Sequence, residues 1–179
     1  LEGTRPTMDR VKESLFAMIQ NNIHNSTCLD LFSGSGNLGI EAISQGANKS
    51  YLADFNKKAI KIIKYNLNRL GISDKCVVIY GDFKKVLKEK DSIFDIIFLD
   101  PPYKTNYIEE AIKLISDNDL LNKNGLIICE SDSLEKIIYS SEYSMIKDKK
   151  YGDKYVVILK KIWYYYINNK DCDNNEKNE

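Results

Sequence analysis

Four aspartates, Asp30, Asp54, Asp82 and Asp100, stand at or just past the ends of four successive apolar runs. Between the first two lies Gly34-Ser35-Gly36-Asn37-Leu38-Gly39, and the last opens Asp100-Pro101-Pro102-Tyr103. Each set suggests a chemistry. A G-x-G-x-x-G loop between a strand and a helix, with Asp54 eighteen residues past Gly36, predicts a nucleotide-type ligand laid against backbone, its ribose held by the acid. Proline has no N–H to donate and holds φ near one value, so Asp100-Pro101-Pro102-Tyr103 ends its strand in a rigid shelf with a carboxylate at the lip. A single aspartate at a strand end is as readily a helix cap. Four along one edge point to ligand contacts.

The glycine pattern alone fits a nicotinamide dinucleotide, and with it an NAD-dependent oxidoreductase. Two features point elsewhere. Asp30 precedes the glycines, where its charge would oppose a pyrophosphate but suits a cationic ligand. The second half of a dinucleotide also has no counterpart in the later strands, where the diproline shelf stands instead.

Those residues need a scaffold, and the chain supplies one in order. Residues 7–23 put Val11, Leu15, Met18, Ile19 and Ile23 near one helical face, with Thr7 as N-cap. Strands are predicted over 27–32, 49–55, 76–80, 94–99 and 125–131. Helices are predicted after the glycine loop, over 56–71 on Ala59, Ile62, Ile63, Leu67 and Leu70, in a short lysine-rich stretch after Asp82, over 107–117, and over 133–142. The run Phe94, Ile96 to Leu99 is apolar throughout, as in a parallel strand covered on both faces. A final antiparallel pair, with Tyr151-Gly152 at its turn, closes the pattern. Five strand–helix alternations and a hairpin predict an α/β fold: a doubly wound, mostly parallel seven-stranded sheet with a C-terminal antiparallel hairpin.

With 179 residues, 43% of them hydrophobic, the chain suits a single domain, placed at 1–167. Residues 168–179 form a polar, Asn-rich tail that cannot bury a core and is expected to be disordered. Trp163-Tyr164-Tyr165-Tyr166 has no clean alternation and is assigned no role. No apolar run is long enough for a membrane helix, and no signal peptide pattern opens the chain. The sequence starts at Leu1 rather than a methionine, so residues upstream are expected. Cys28, Cys76, Cys129 and Cys172 are far apart and His24 is the lone histidine, which predicts reduced cytoplasmic thiols and no metal. Net charge is zero. Two lysine clusters, Lys84, Lys85, Lys88 and Lys90, and Lys147, Lys149, Lys150 and Lys154, suit phosphate contacts or simply a solvated face.

An acid-led glycine loop, acids after strands two and three, and Asp-Pro-Pro-Tyr after strand four together resemble the class I S-adenosylmethionine-dependent methyltransferases, over roughly residues 27–161. Thr4 to Phe16 (TRPTMDRVKESLF), Leu29 to Ala47 (LDLFSGSGNLGIEAISQGA) and Asp95 to Tyr103 (DIIFLDPPY) look more closely like the RsmD-type 16S ribosomal RNA guanine-N2 methyltransferases, from Arg5 to about Leu159. The resemblance implies a Rossmann-like methyltransferase fold with S-adenosylmethionine as cofactor. It places Asp30, Gly34, Ser35 and Gly36 around the methionine part, Asp54 on the ribose hydroxyls, and Asp82 with Phe83 at the adenine, with Phe32 and Asn37 also binding the cofactor. Thr7 and Arg10 would close over the cofactor. Asp100, Pro101, Pro102 and Tyr103 would hold the target amino group. The implied partner is ribosomal RNA in a folded or partly assembled small subunit, docked in the family by a basic segment ahead of the first helix. Alternatives are an adenine-N6 or protein-amide methyltransferase and, from other classes, the oxidoreductase or a non-catalytic RNA-binding module.

Overall fold

The structure, a computed structural model, describes residues 5–89, 92–102 and 105–162, with side chains from Asp9 onward. The expectations for Tyr103, the Thr7 side chain, Lys90, the 163–166 aromatic run and the 168–179 tail lie outside the described residues.

One seven-stranded sheet organises the rest. Its strands are β1 (Thr27–Asp30), β2 (Lys49–Asp54), β3 (Cys76–Tyr80), β4 (Phe94–Leu99), β5 (Leu121–Ser131), β6 (Tyr143–Tyr151) and β7 (Lys154–Lys161), in spatial order β3-β2-β1-β4-β5-β7-β6. The first five are mutually parallel, and β7 runs antiparallel between β5 and β6. The order reverses between β1 and β4, so their carboxyl ends diverge around a crevice, where open α/β sheets take ligands.

Helices α1 (Arg5–Ile23), α2 (Asn37–Ser44), α3 (Lys57–Leu70), α4 (Phe83–Lys88) and α5 (Tyr107–Asp117) cover both faces. Helix α1 buries Val11, Leu15, Phe16, Ile19 and Ile23 against Ile96, Phe98, Leu126, Ile128, Val156 and Ile158. The opposite face packs α4 and α5 on Leu29, Phe94, Ile97, Leu99, Ile127 and Leu159. Phe94, Ile96, Ile97 and Phe98 are wholly buried, the predicted two-faced strand. Each such side chain contributes about 1.5–3 kcal/mol relative to exposure. Asp95, on this strand, keeps one oxygen on the Thr27 N–H (2.8 Å) and the other on the Asn122 amide (2.7 Å), tying β4 to both neighbours.

Several boundaries depart from expectation. Strand β1 ends at Asp30; the Leu31 N–H makes its last ladder bond, to the Phe98 carbonyl, before the chain turns into the loop. Helix α3 buries Ala59, Ile60, Ile63 and Leu67, which leaves Ile62 and Leu70 about half exposed. Strand β5 starts at Leu121, four residues early. The helix predicted over 133–142 is only a single 3-10 turn, Leu134–Lys136. Beyond it the chain leaves the helical region at Ile137 (φ −96°, ψ 82°) and runs without regular structure through Ser140, with Ile137 buried and Ile138 53% exposed. The hairpin turn is Gly152-Asp153, with Tyr151 paired to Lys154 and Gly152 at φ +59°.

Candidate functional site

At the carboxyl edge the chain makes a tight sequence of backbone commitments. The Ser33 N–H donates to the Ala53 carbonyl (3.0 Å), its hydroxyl to the Asp30 carbonyl (2.7 Å), and the Gly36 N–H to the Ser33 carbonyl (2.7 Å). Gly34 and Gly36 hold φ of +55° and +85°, a region open to glycine at little cost. Gly39 serves differently. A Cβ there would lie 2.8 Å from the Ser50 Oγ and 2.9 Å from the Leu52 Cδ2, so its absence lets α2 sit directly on β2.

These commitments frame a cavity of ≈ 550 Å³. Its lining includes Phe32 and Gly34 from the loop after β1, Asp54 and Phe55 after β2, Asp82 and Phe83 after β3, and Asp100, Pro101 and Pro102 after β4. Three rings make an aromatic wall. Phe32 stacks on Tyr107 (centroids 6.1 Å, planes 6° apart), and Phe83 meets both, at 5.3 Å and 4.9 Å.

Asp54 accepts the Gly34 N–H on one oxygen and the Asn56 N–H on the other, both at 2.8 Å, clamping the loop to the β2–α3 turn. Asp82 caps α4 through the Lys84 N–H (2.9 Å). Asp100 makes no side-chain hydrogen bond among the described residues. Desolvation by burial pushes its carboxyl up to about 7; Glu130 adds to the rise and Lys154 opposes it. Pro101 is buried beside it, and the Pro102 carbonyl accepts the Thr105 hydroxyl (2.9 Å).

Asp30, expected at the ligand, lies behind the loop. It is 1% exposed and outside the cavity lining, and it accepts the Gly39 N–H at 3.0 Å. Burial lifts its carboxyl to about 7, with Asp100 and Asp54 adding to the rise and the Gly39 N–H opposing it. Its position anchors α2, since turning outward would leave that N–H unpaired. Ser35, Gly36, Asn37 and Arg10 also lie off the cavity. The Ser35 carbonyl takes the Asn66 amide (3.0 Å), and the Asn37 side chain takes the Lys12 ammonium (3.1 Å), which joins α1 to α2. Arg10 is exposed.

The lining also holds residues the sequence reading did not assign to the site: Phe55, Thr105 and Tyr107, with Lys154 considered only for phosphate contacts. The repeated Asp-Phe step, Asp54-Phe55 and Asp82-Phe83, was a usable signal for Phe55.

The family described as "conserved hypothetical protein 95" matches residues 1–160. The ribosomal RNA small subunit methyltransferase D of Haemophilus influenzae is 40% identical over 154 residues, 84% of this chain and 80% of that one. Among solved structures, a candidate methyltransferase of Escherichia coli superposes with TM-score 0.82 at 31% identity, over 90% of each chain. A candidate methyltransferase crystallised with SAH, 18% identical over 81% of this chain and 49% of its own, shares the fold with TM-score 0.63.

Proposed function

The chain belongs to the conserved hypothetical protein 95 family, that of ribosomal RNA small subunit methyltransferase D, and we propose that it moves a methyl group from S-adenosylmethionine to a guanine N2 amino group in small-subunit ribosomal RNA. One observation carries the reading. Asp54 and Asp82 each hold a backbone N–H, whereas Asp100 sits on its diproline shelf at the same cavity without a donor among the described residues. A partly buried carboxylate kept out of the fold's own hydrogen bonding is suited to an amino group brought from outside.

The residues fit this cofactor. A carboxylate has about four lone-pair sites, so Asp54, with one N–H on each oxygen, retains acceptors for a ribose diol. Phe32, Phe83 and Tyr107 offer an aromatic wall to a purine, with Asp82 alongside as acceptor for its amino group. No Cβ blocks the approach to the Gly34 backbone. When bound, the sulfonium supplies an activated methyl group.

What remains for the protein is orientation. The guanine amino lone pair is delocalised into the ring. Asp100 and the Pro101 carbonyl, each accepting one amino hydrogen, would turn that lone pair toward the methyl, and holding donor and acceptor in line supplies much of the rate. Tyr103, next in sequence, would stack on the base for about 1–3 kcal/mol. Asp100 can take the proton as positive charge develops on nitrogen. A base within folded RNA must first be turned out of its stack.

The test is transfer of labelled methyl into small-subunit RNA from a strain lacking this activity, followed by nucleoside analysis. N2-methylguanosine is the expected product. Label in adenine N6 or in protein overturns the guanine assignment, and binding of NAD in place of S-adenosylhomocysteine overturns the whole reading.

A further inference from the structure

We propose that Glu130 and Lys154 are positioning residues of the transfer step, an ion pair through which the fold sets the place and charge of Asp100. The inference rests on the methyltransferase reading.

The sheet register brings these residues together. Leu99 lies opposite Cys129 on neighbouring parallel strands, so Asp100 and Glu130 occupy the next position along each strand. Adjacent strands are about 4.8 Å apart. Alternation sends Asp100 and Glu130 to the face that carries Ile96, Phe98, Leu126 and Ile128. Two carboxylates abreast at one edge repel and resist ionisation together. The Lys154 ammonium answers from the start of β7, just after the hairpin turn. It bonds the Glu130 carboxylate and lines the same cavity as Asp100. Both partners are half-buried, with side chains 15% exposed for Glu130 and 32% for Lys154, so the pair is only partly screened by solvent. The charged neighbours that bear on Asp100 are therefore Glu130 from β5 and Lys154 from β7, and Asp100 in turn bears on Asp30 of β1.

This arrangement uses a tight hairpin to regulate a group on the central strand. Glu130 makes Asp100 harder to ionise, and Lys154 restores ionisation while pinning Glu130. An ammonium has three donors, so Lys154 can hold Glu130 and still face the cavity.

The experiment is single-turnover methyl transfer into small-subunit RNA across pH for the wild type, Glu130→Gln, Lys154→Met, Lys154→Arg and the double variant, with calorimetry of S-adenosylhomocysteine on each. Activity that needs ionised Asp100 rises with pH through a limb near 7. Removing Lys154 moves that limb up by roughly one pH unit, the scale of an opposite charge nearby, and removing Glu130 moves it down. The double variant falls between them, and Lys154→Arg restores the wild-type profile. Cofactor affinity stays within about threefold throughout, since neither residue is assigned to the cofactor. If both single variants keep the wild-type limb, or if they lose S-adenosylhomocysteine binding, the inference fails. If wild type transfers no methyl to RNA, the underlying function fails instead.

Discussion

Replacing Asp30 with Asn tests whether this acid belongs to the scaffold. The carboxyl is buried and raised from 3.8 to about 7. A folded value above the unfolded one means the native state binds the proton more tightly. The stability this group contributes is then full below about pH 4 and lost as pH rises through about 7. At about 1.4 kcal/mol per unit, taking the wild type from pH 5 to pH 8 costs about 2–3 kcal/mol through Asp30 alone. Asn does not titrate. Its oxygen can keep the Gly39 N–H, but its amide hydrogens enter a buried site, at about 1–3 kcal/mol if unsatisfied. The variant should therefore be the weaker protein at pH 5 and close most or all of that gap by pH 8. Urea unfolding at four pH values between 5 and 8 measures both proteins in one buffer series. Parallel curves, with the same drop for wild type and variant, would refute the assignment of Asp30 as a buried, raised carboxyl.

Three further outcomes follow from the geometry. Asp100→Ala should lose methyl transfer by about a hundredfold or more while S-adenosylhomocysteine binds within a few-fold by calorimetry; loss of both would mean a folding role. Asp54→Ala should weaken S-adenosylhomocysteine binding by about tenfold or more, because it removes the ribose acceptor and frees the Gly34 and Asn56 N–H groups. Gly39→Ala gains about 1 kcal/mol of helix propensity but drives a methyl against Ser50 and Leu52, so thermal melting should show net destabilisation of about 0–2 kcal/mol.

The sheet was legible because its signals were strong and local. A β4 apolar at every position but Asp95, a glycine loop between β1 and α2, and a helix period over 57–70 each specify an element with little help from neighbours. What the sequence concealed was direction. Asp30 and Asp54 read alike, as acids at strand ends, yet one turns into the protein toward the Gly39 N–H and the other clamps the loop at the cavity wall. That difference depends on where α2 lands, and Gly39 decides it from nine residues away. The stretch 133–142 was misjudged for a related reason. Its residues tolerate a helix, but the chain leaves its single turn at Ile137, whose ψ of 82° lies outside the helical region. Lys154 was visible only as one lysine in a cluster, and its place at the cavity arises from pairing β7 with β5.

The two ends of β4 carry acids in opposite circumstances. Asp95, at the entering end, spends both oxygens on donors from the flanking strands and holds the sheet together. Asp100, at the leaving end, is followed by two prolines that supply no N–H, while Glu130 beside it repels rather than donates. A fold that merely needed a turn there would gain from a donor to satisfy this partly buried carboxylate, because an unmet buried charge costs several kcal/mol. Instead the charge that favours its ionisation is Lys154 from the hairpin, and among the described residues no side-chain hydrogen bond occupies its oxygens. Among the described residues the chain buries this carboxylate and gives it no hydrogen-bond donor, a combination that fits its proposed role of accepting one from the substrate.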